Sequence, residues 1–288
     1  MFATTKALDR QRHPRVCPND LKRENMRFCR FFSSDGPKFG LVENLNGADW
    51  ITRTAGGVAM PDFDAAQKIS PLPLSSVTLL APVEPSKIIC VGRNYADHAR
   101  EFGNEVPPDL IIFLKPPTSL LDPGGKIVRP KGLSERVDFE GELAAVIGKT
   151  CHKLGASEDV RPYIIGYTCS NDVTARDLQR KDGQWTRGKS FDTFCPVGPI
   201  VTDEIDPWKG VQVETRVNGS VMQSASTTAF IFPIDVIIRF IAQVMTLLPG
   251  DLIMTGTPAG VGPLVAGDEV AVSISGIGTL TNPVVDGD

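Results

Sequence analysis

The stretch VDFEGELAAVIG, residues 137–148, decides how the rest of the chain is read. A β-strand has a side-chain period of two, so Glu140 and Glu142 share a face that continues with Ala144 and Val146. Gly141, Leu143, Ala145 and Ile147 make up the other face, and neither side is built for water. Two carboxylates on a strand covered on both sides repel each other and lose hydration unless a cation or protons compensate. A bound Mg²⁺ or Mn²⁺ would compensate them. A strand that frays at residue 140 and leaves both glutamates in solvent is the other reading, and the pattern alone leaves both open.

Working outward, short apolar runs predict further strands at residues 87–92, 110–114, 163–169, 211–217, 252–254 and 269–275, with the opening stretch itself a strand over 141–148. One full-length helix is predicted over 233–248, with Ile237, Ile241, Val244 and Leu248 on one stripe and Pro249-Gly250 ending it. The run ADHAREFG, residues 96–103, has helical composition and a glycine stop. Upstream, MRFCRFF, SSDGPKFG and LVENL from Met26 onward predict a hairpin, followed by ADWITRTAGG. The proline- and serine-rich residues 69–85 predict an extended connection. Regular βαβ alternation and a long internal period are both missing, which excludes a doubly wound sheet and a solenoid. The expected fold class is therefore α+β, mostly β, in two parts. These are a small N-terminal β-rich domain with its linker over 26–80 and a larger mixed-sheet domain over 81–288.

Composition narrows the partners. The chain has 288 residues with 41% hydrophobic and 22% charged side chains, as in ordinary globular proteins. A net charge of -4 gives no reason to expect nucleic acid or an anionic membrane, so a small molecule is the expected partner. No apolar run approaches the ~20 residues of a membrane-spanning helix. Six cysteines without a CxxC pair predict reduced thiols, with Cys90 and Cys169 in the core. The three histidines, His13, His98 and His152, are too few for a zinc site of several imidazoles, so a metal would rely on oxygen ligands. Residues 1–25 read as a basic, proline-containing disordered extension, and Met26 is a candidate start. The expected compartment is cytoplasmic, with a mitochondrial presequence as the alternative that Asp9, Asp20, Pro14 and Pro18 oppose.

Further side chains could carry chemistry. In YIIGYTCSNDVTARDLQ, residues 163–179, an apolar strand ends at Asn171-Asp172, and Thr174 and Asp177 are spaced like a helix N-cap and its reciprocal partner. Asp172 is then a third acid or a plain turn residue. His98 and Glu101 share a helical face, either as a solvated surface pair or as a general base with a carboxylate behind it. Lys189 falls in WTRGKSFDTFCPVGP, where glycine and proline oppose regular structure and a lone lysine is expected in solvent. IMTGTPAGVG, residues 253–262, lacks the lysine of a phosphate loop, though Thr255, Gly256 and Thr257 could hold a carboxylate through hydroxyl and amide donors.

Taken together, GRNYADHAREFG, VDFEGELAAVIG, SNDVTARDLQ, GKSFDTFCPVGP, MTGTPAGVG and GDEVAVSISGIGTLTN resemble, in order, the blocks of the fumarylacetoacetate hydrolase family over about residues 82–282. Residues 26–70 also look like the small N-terminal domain of its longer members. The resemblance implies a mixed β-sheet roll, usually homodimeric, with Glu140, Glu142 and Asp172 as ligands of Mg²⁺ or Mn²⁺. It implies a His98–Glu101 catalytic dyad on a lid-like segment, with Lys189 near the metal. Arg176 and Gln179 would face the substrate, and Thr257 would help bind its carboxylate. The implied activity is hydrolysis of a carbon–carbon bond in a 2,4-dioxo acid such as an acylpyruvate or fumarylpyruvate, by His98-activated water and release of a metal-stabilised enolate. Oxaloacetate decarboxylation, tautomerisation or a related isomerisation at the same site is the alternative, and a non-catalytic oxo-acid binding protein is a distant one.

Overall fold

The computed structural model describes residues 25–287 apart from 102 and 104, so all but the last residue of the expected N-terminal extension lies outside the described residues. The strand Gly141–Ile147 is buried along its whole length, as its composition demands. It lies inside a twelve-stranded sheet. Ile164–Asn171 pairs with it antiparallel on one side, from Gly141 opposite Asn171 to Ile147 opposite Ile164, and Leu252–Met254 pairs with it on the other. Beyond Ile164–Asn171 come Cys195–Thr202 and then the N-terminal strands β1 (Arg27–Ser33), β2 (Gly36–Leu45), β3 (Ala48–Ala55) and β4 (Gln67–Pro73). Beyond Leu252–Met254 come Ile88–Gly92, joined to it in parallel, and Ile111–Lys115.

The two faces of Gly141–Ile147 feed different cores. Leu143, Ala145 and Ile147 join Val213, Val272, Ile237 and Ile241, the last two from the main helix. Ala144 and Val146 join Phe28, Phe39, Cys90 and Met254. Each fully buried large aliphatic side chain contributes about 1.5–3 kcal/mol, so a strand gripped on both faces is held firmly in place. The α+β, mostly β, character expected from the sequence is what is observed. The predicted strands all form, with ends within a residue or two. The five described cysteines are free and buried, Cys90 and Cys169 among them. No helix among the described residues is long and apolar enough to cross a membrane.

Three local expectations are corrected. Residues 69–85 are not wholly a connection, because β4 runs to Pro73 and Leu79–Leu80 pairs with β1. As the outermost strand, β4 tolerates Pro71 and Pro73, since a proline there forfeits no ladder bond. The main helix, Ile234–Val244, stops short of Leu248. An antiparallel bridge between Cys151 and Leu247 draws the chain out of helical geometry at Met245, so Val244 is 59% and Leu248 40% exposed. Ile234, Ile238 and Ala242 complete the buried face in their place. Finally, Glu140, read as sharing a strand face with Glu142, lies just outside the strand Gly141–Ile147. Val137–Phe139 belongs to a three-stranded sheet with Thr174–Ala175 and Gly262–Pro263, and the chain changes sheet at Glu140. There the Glu140 N–H donates to Asn171 Oδ1 (2.9 Å) and the Glu140 carbonyl accepts from the Asp172 N–H (2.8 Å).

Candidate metal centre

That change of sheet brings three acids together. Glu140, Glu142 and Asp172 are all buried, and each offers a carboxylate oxygen within 4.8 Å of the others. The exposed-glutamate reading is thereby excluded. Lys189 Nζ donates to Glu140 Oε2 (2.8 Å) and to Asp172 Oδ2 (2.6 Å). Lys115 Nζ donates to Asp172 Oδ1 (2.7 Å), and Arg176 Nη2 to Glu140 Oε1 (2.5 Å). Glu142 accepts the Gly256 N–H (2.7 Å) and forms no ion pair among the described residues.

The charges respond accordingly. Burial, then repulsion from Asp172 and Glu140, pushes the Glu142 carboxyl well above its ordinary range. Burial would also raise Glu140, but the cations of Lys189 and Arg176 outweigh it and hold Glu140 below the usual carboxylate range. Burial acts to lower Lys189, and the carboxylates of Asp172 and Glu140 overcome it to keep the ammonium charged. A cluster of hard oxygen donors, one of them without a counter-charge, fits a divalent cation such as Mg²⁺.

A cavity of about 440 Å³ opens over the triad, lined also by His98, Lys189 and Thr257. Arg176 and Gln179 reach the same cavity, with Phe113 and Trp185 as its aromatic wall. His98 lies on α1 (Ala96–Glu101), buried, with Nδ1 3.3 Å from Glu101 Oε2. Glu101 does not line the cavity; it stands behind His98 and accepts the Gly260 N–H (3.2 Å to Oε1). Burial lowers the imidazole pKa despite the nearby carboxylates, so the neutral ring is favoured at pH 7. The solvated-surface reading fails for His98, while Glu101 stays exposed.

Residues 87–285 match the family model described as fumarylacetoacetate (FAA) hydrolase C-terminal, and residues 26–82 match the Rv2993c-like N-terminal model. The chain belongs to the fumarylacetoacetate hydrolase family. Protein Rv2993c of Mycobacterium tuberculosis is 49% identical over 263 residues, covering 90% of this chain and 98% of that protein. The mitochondrial oxaloacetate tautomerase Fahd2a of Rattus norvegicus is 43% identical over 231 residues, covering 76% of this chain and 73% of that protein. Among solved structures, 5-carboxymethyl-2-hydroxymuconate delta-isomerase from Mycobacterium smegmatis aligns with a TM-score of 0.80 at 44% identity, over 91% of this chain and 100% of that one.

In this family member the structure departs from local sequence reasoning at two places. Lys189, expected in solvent, is 2% exposed at the end of a short helix, Thr186–Lys189. Gly188 allows this, because a Cβ there would meet Gln179 N at 2.9 Å and Ala175 O at 3.0 Å, and without one the two helices close up. Thr174 does not cap the helix Arg176–Asp182. Its strand pairing with Asp138 keeps it extended, and the helix starts after Ala175 with no side-chain cap. Thr174 Oγ1 donates to the Asp172 carbonyl (2.8 Å), and Asp177 accepts from Ser134 Oγ (2.5 Å).

The loop around residues 255–257 does its work on the opening strand. Thr255 Oγ1 donates to the Leu143 carbonyl (2.8 Å) and Thr257 Oγ1 to the Gly141 carbonyl (2.9 Å), while the Gly256 amide is spent on Glu142. Two buried charges were missed from sequence. Asp138 accepts from Arg176 Nε (2.9 Å) and Arg136 Nε (2.8 Å). It stands two residues before Glu140, so the period-two pattern carried a signal for it. Lys115 ends the apolar strand Ile111–Lys115, and nothing local ties it to Asp172, 57 residues away.

Proposed function

We propose that the protein is a divalent-metal enzyme that moves a proton at the carbon beside the keto group of a small 2-oxo diacid, oxaloacetate or a close relative, as a tautomerase or isomerase. The observation that carries this reading is a buried imidazole, His98, backed by Glu101 and opening on the same cavity as the acidic triad. Glu140, Glu142 and Asp172 would hold Mg²⁺ or Mn²⁺, which when bound supplies Lewis acidity and a template for a 2-oxo carboxylate.

The chain's own groups divide the remaining work. Neutral His98 takes the carbon-bound proton and delivers it to the keto oxygen, giving the enol, or runs the reverse, with the Glu101 carboxylate steadying the imidazolium between the two transfers. Lys189, fixed by two carboxylates, adds positive charge where the keto oxygen gains electron density. Arg176, Gln179 and Thr257 line the cavity as the groups that orient the substrate. The names of relatives above 40% identity, an oxaloacetate tautomerase and a hydroxymuconate isomerase, support the same chemistry. Hydrolysis of a carbon–carbon bond in a 2,4-dioxo acid is the second reading, favoured by the same dyad, since a base able to deprotonate carbon can also deprotonate water. A homodimer is part of the proposal, and light scattering of the purified protein tests it.

Keto–enol interconversion of oxaloacetate with Mg²⁺ should be accelerated by the wild-type protein, and the rate should collapse in excess EDTA and in His98→Ala. Turnover of acetylpyruvate with none of oxaloacetate would replace the first reading by the second. Inertness towards both would sink the enzyme proposal.

A further inference from the structure

Gln223 lies on Ser220–Ser226, the outermost strand of the five-stranded sheet, yet it is 1% exposed and reaches the metal-bearing strand. Its Oε1 accepts the Gly141 N–H (3.0 Å), and its Nε2 donates to Thr257 Oγ1 (2.7 Å) and to the Pro258 carbonyl (2.7 Å). The amide orientation is forced, because a backbone N–H can only donate and a carbonyl can only accept. Gly141 makes the approach possible. A Cβ there would stand 2.0 Å from Thr215 Oγ1 and 3.3 Å from Gln223 Oε1.

The consequence falls on Thr257. Its hydroxyl oxygen accepts from Gln223, so its single proton must point elsewhere, either to the Gly141 carbonyl at 2.9 Å or into the cavity that Thr257 lines. With the oxygen held by Gln223, the proton that rests on the Gly141 carbonyl can turn towards an anion entering the cavity, which gives a carboxylate the donor it requires. We infer that Gln223 is a positioning residue that holds the Thr257 oxygen at the cavity wall, so that the Thr257 hydroxyl can serve as a hydrogen-bond donor to the carboxylate of a 2-oxo acid. This rests on the proposed reading of Thr257 as a substrate-binding group.

A double-mutant cycle tests it. Gln223→Met keeps the bulk and removes both donors. It should raise the KM for oxaloacetate about tenfold, the scale of one weakened hydrogen bond to a charged group, while kcat changes by less than about threefold. In a Thr257→Val background, where no hydroxyl remains to orient, the same substitution should leave KM where Thr257→Val has put it. An unchanged KM in the single variant, or the same tenfold rise in both backgrounds, would overturn the inference. Should Gln223→Met not fold, Gln223→Glu decides. An ionised carboxylate takes the Thr257 proton for itself, and a protonated one has a single donor for two acceptors, so either form should raise KM. If the wild-type protein turns over no oxo acid, the functional reading has failed on its own. The dissociation constant of oxalate, measured calorimetrically with Mg²⁺ present, then takes the place of KM in the same cycle.

Discussion

Glu142 sits among Glu140, Asp172 and their cations, answered by the Gly256 amide and by Lys189 at a distance but by no ion pair of its own among the described residues. Without a divalent ion it is a source of repulsion, and with one it would serve as the proposed ligand. Glu142→Gln is therefore expected to raise the melting temperature in EDTA by about 2–6 °C, the equivalent of roughly 1–2 kcal/mol, and to abolish the stabilisation that Mg²⁺ gives the wild-type protein. A variant with an undiminished Mg²⁺ shift in a thermal melt would remove Glu142 from the ligand set. Lys115 works in the opposite sense, since Lys115→Met leaves Asp172 with less compensation and should cost about 3 kcal/mol in metal-free protein, part of it restored by Mg²⁺. The carboxylates at 138, 140 and 142 could be read from alternation in the sequence, even though the chain changes sheet at Glu140 and Asp138 was passed over. Lys115 and Gln223 could not, because their partners lie 57 and 34 residues or more away and no local periodicity records a contact of that range. Lys189 was misjudged for a related reason. Its burial follows from how closely one short helix packs on the next, which residue type alone does not reveal.

Between elements, single buried polar groups hold strands in register. Asp251 precedes Leu252–Met254 and accepts from Ser86 N (3.1 Å), Ser86 Oγ (2.6 Å), Lys87 N (3.2 Å) and Leu248 N (2.7 Å), and from the Lys87 ammonium. It thus ties that strand to its parallel neighbour Ile88–Gly92 just where both begin. Asp251→Ala leaves these donors unanswered and should cost roughly 3 kcal/mol, or about 6–12 °C in melting temperature. Near the other end of the sheet, Arg27 on β1 grips Asp49 on β3 through both terminal nitrogens at 2.7 Å. The hydrogen bonds from Arg27 hold the Asp49 carboxyl below its ordinary value. Its folded pKa is thus lower than its unfolded one, so the stabilisation is complete above about pH 4 and is lost as pH falls through the folded value. Below that pH the wild-type melting temperature should drop more steeply than that of Asp49→Asn, and parallel slopes would show the pair contributes nothing. Strands themselves were legible here because short apolar runs between turn residues admit few other readings. Element ends were not, since the early stop at Val244 and the uncapped start at Arg176 are imposed by pairing with residues distant in sequence.

For the molecule as a whole, the boundary between the two matched family models falls at residues 82–87, but the sheet crosses it without a break. β1 pairs with Cys195–Thr202, Phe28 opposite Val201, and the side chains of β1 enter both cores. Phe28 belongs to the same core as Ala144, Val146 and Met254, while Cys29 and Phe31 belong to the core of Leu143 and Ala145. Both cores that receive the side chains of the Glu142 strand therefore also take in residues of the N-terminal segment. A cavity left in either core would loosen the surroundings of the Glu142 strand as well as the hairpin. Phe28 also meets Phe63 edge-on at 5.6 Å, a contact that truncation would remove. Phe28→Ala should cost about 3–5 kcal/mol, lowering the melting temperature by on the order of 10 °C. Because the cores are shared, the loss should be felt everywhere at once. Far-UV circular dichroism and the fluorescence of the protein's three tryptophans, Trp50 on β3 and Trp185 and Trp208 beyond residue 87, should report one coincident transition in wild type and variant alike. If Trp50 were left as the sole fluorophore and melted ahead of the backbone signal, the N-terminal strands would be an independent unit, and the continuity of the sheet would carry no energetic weight.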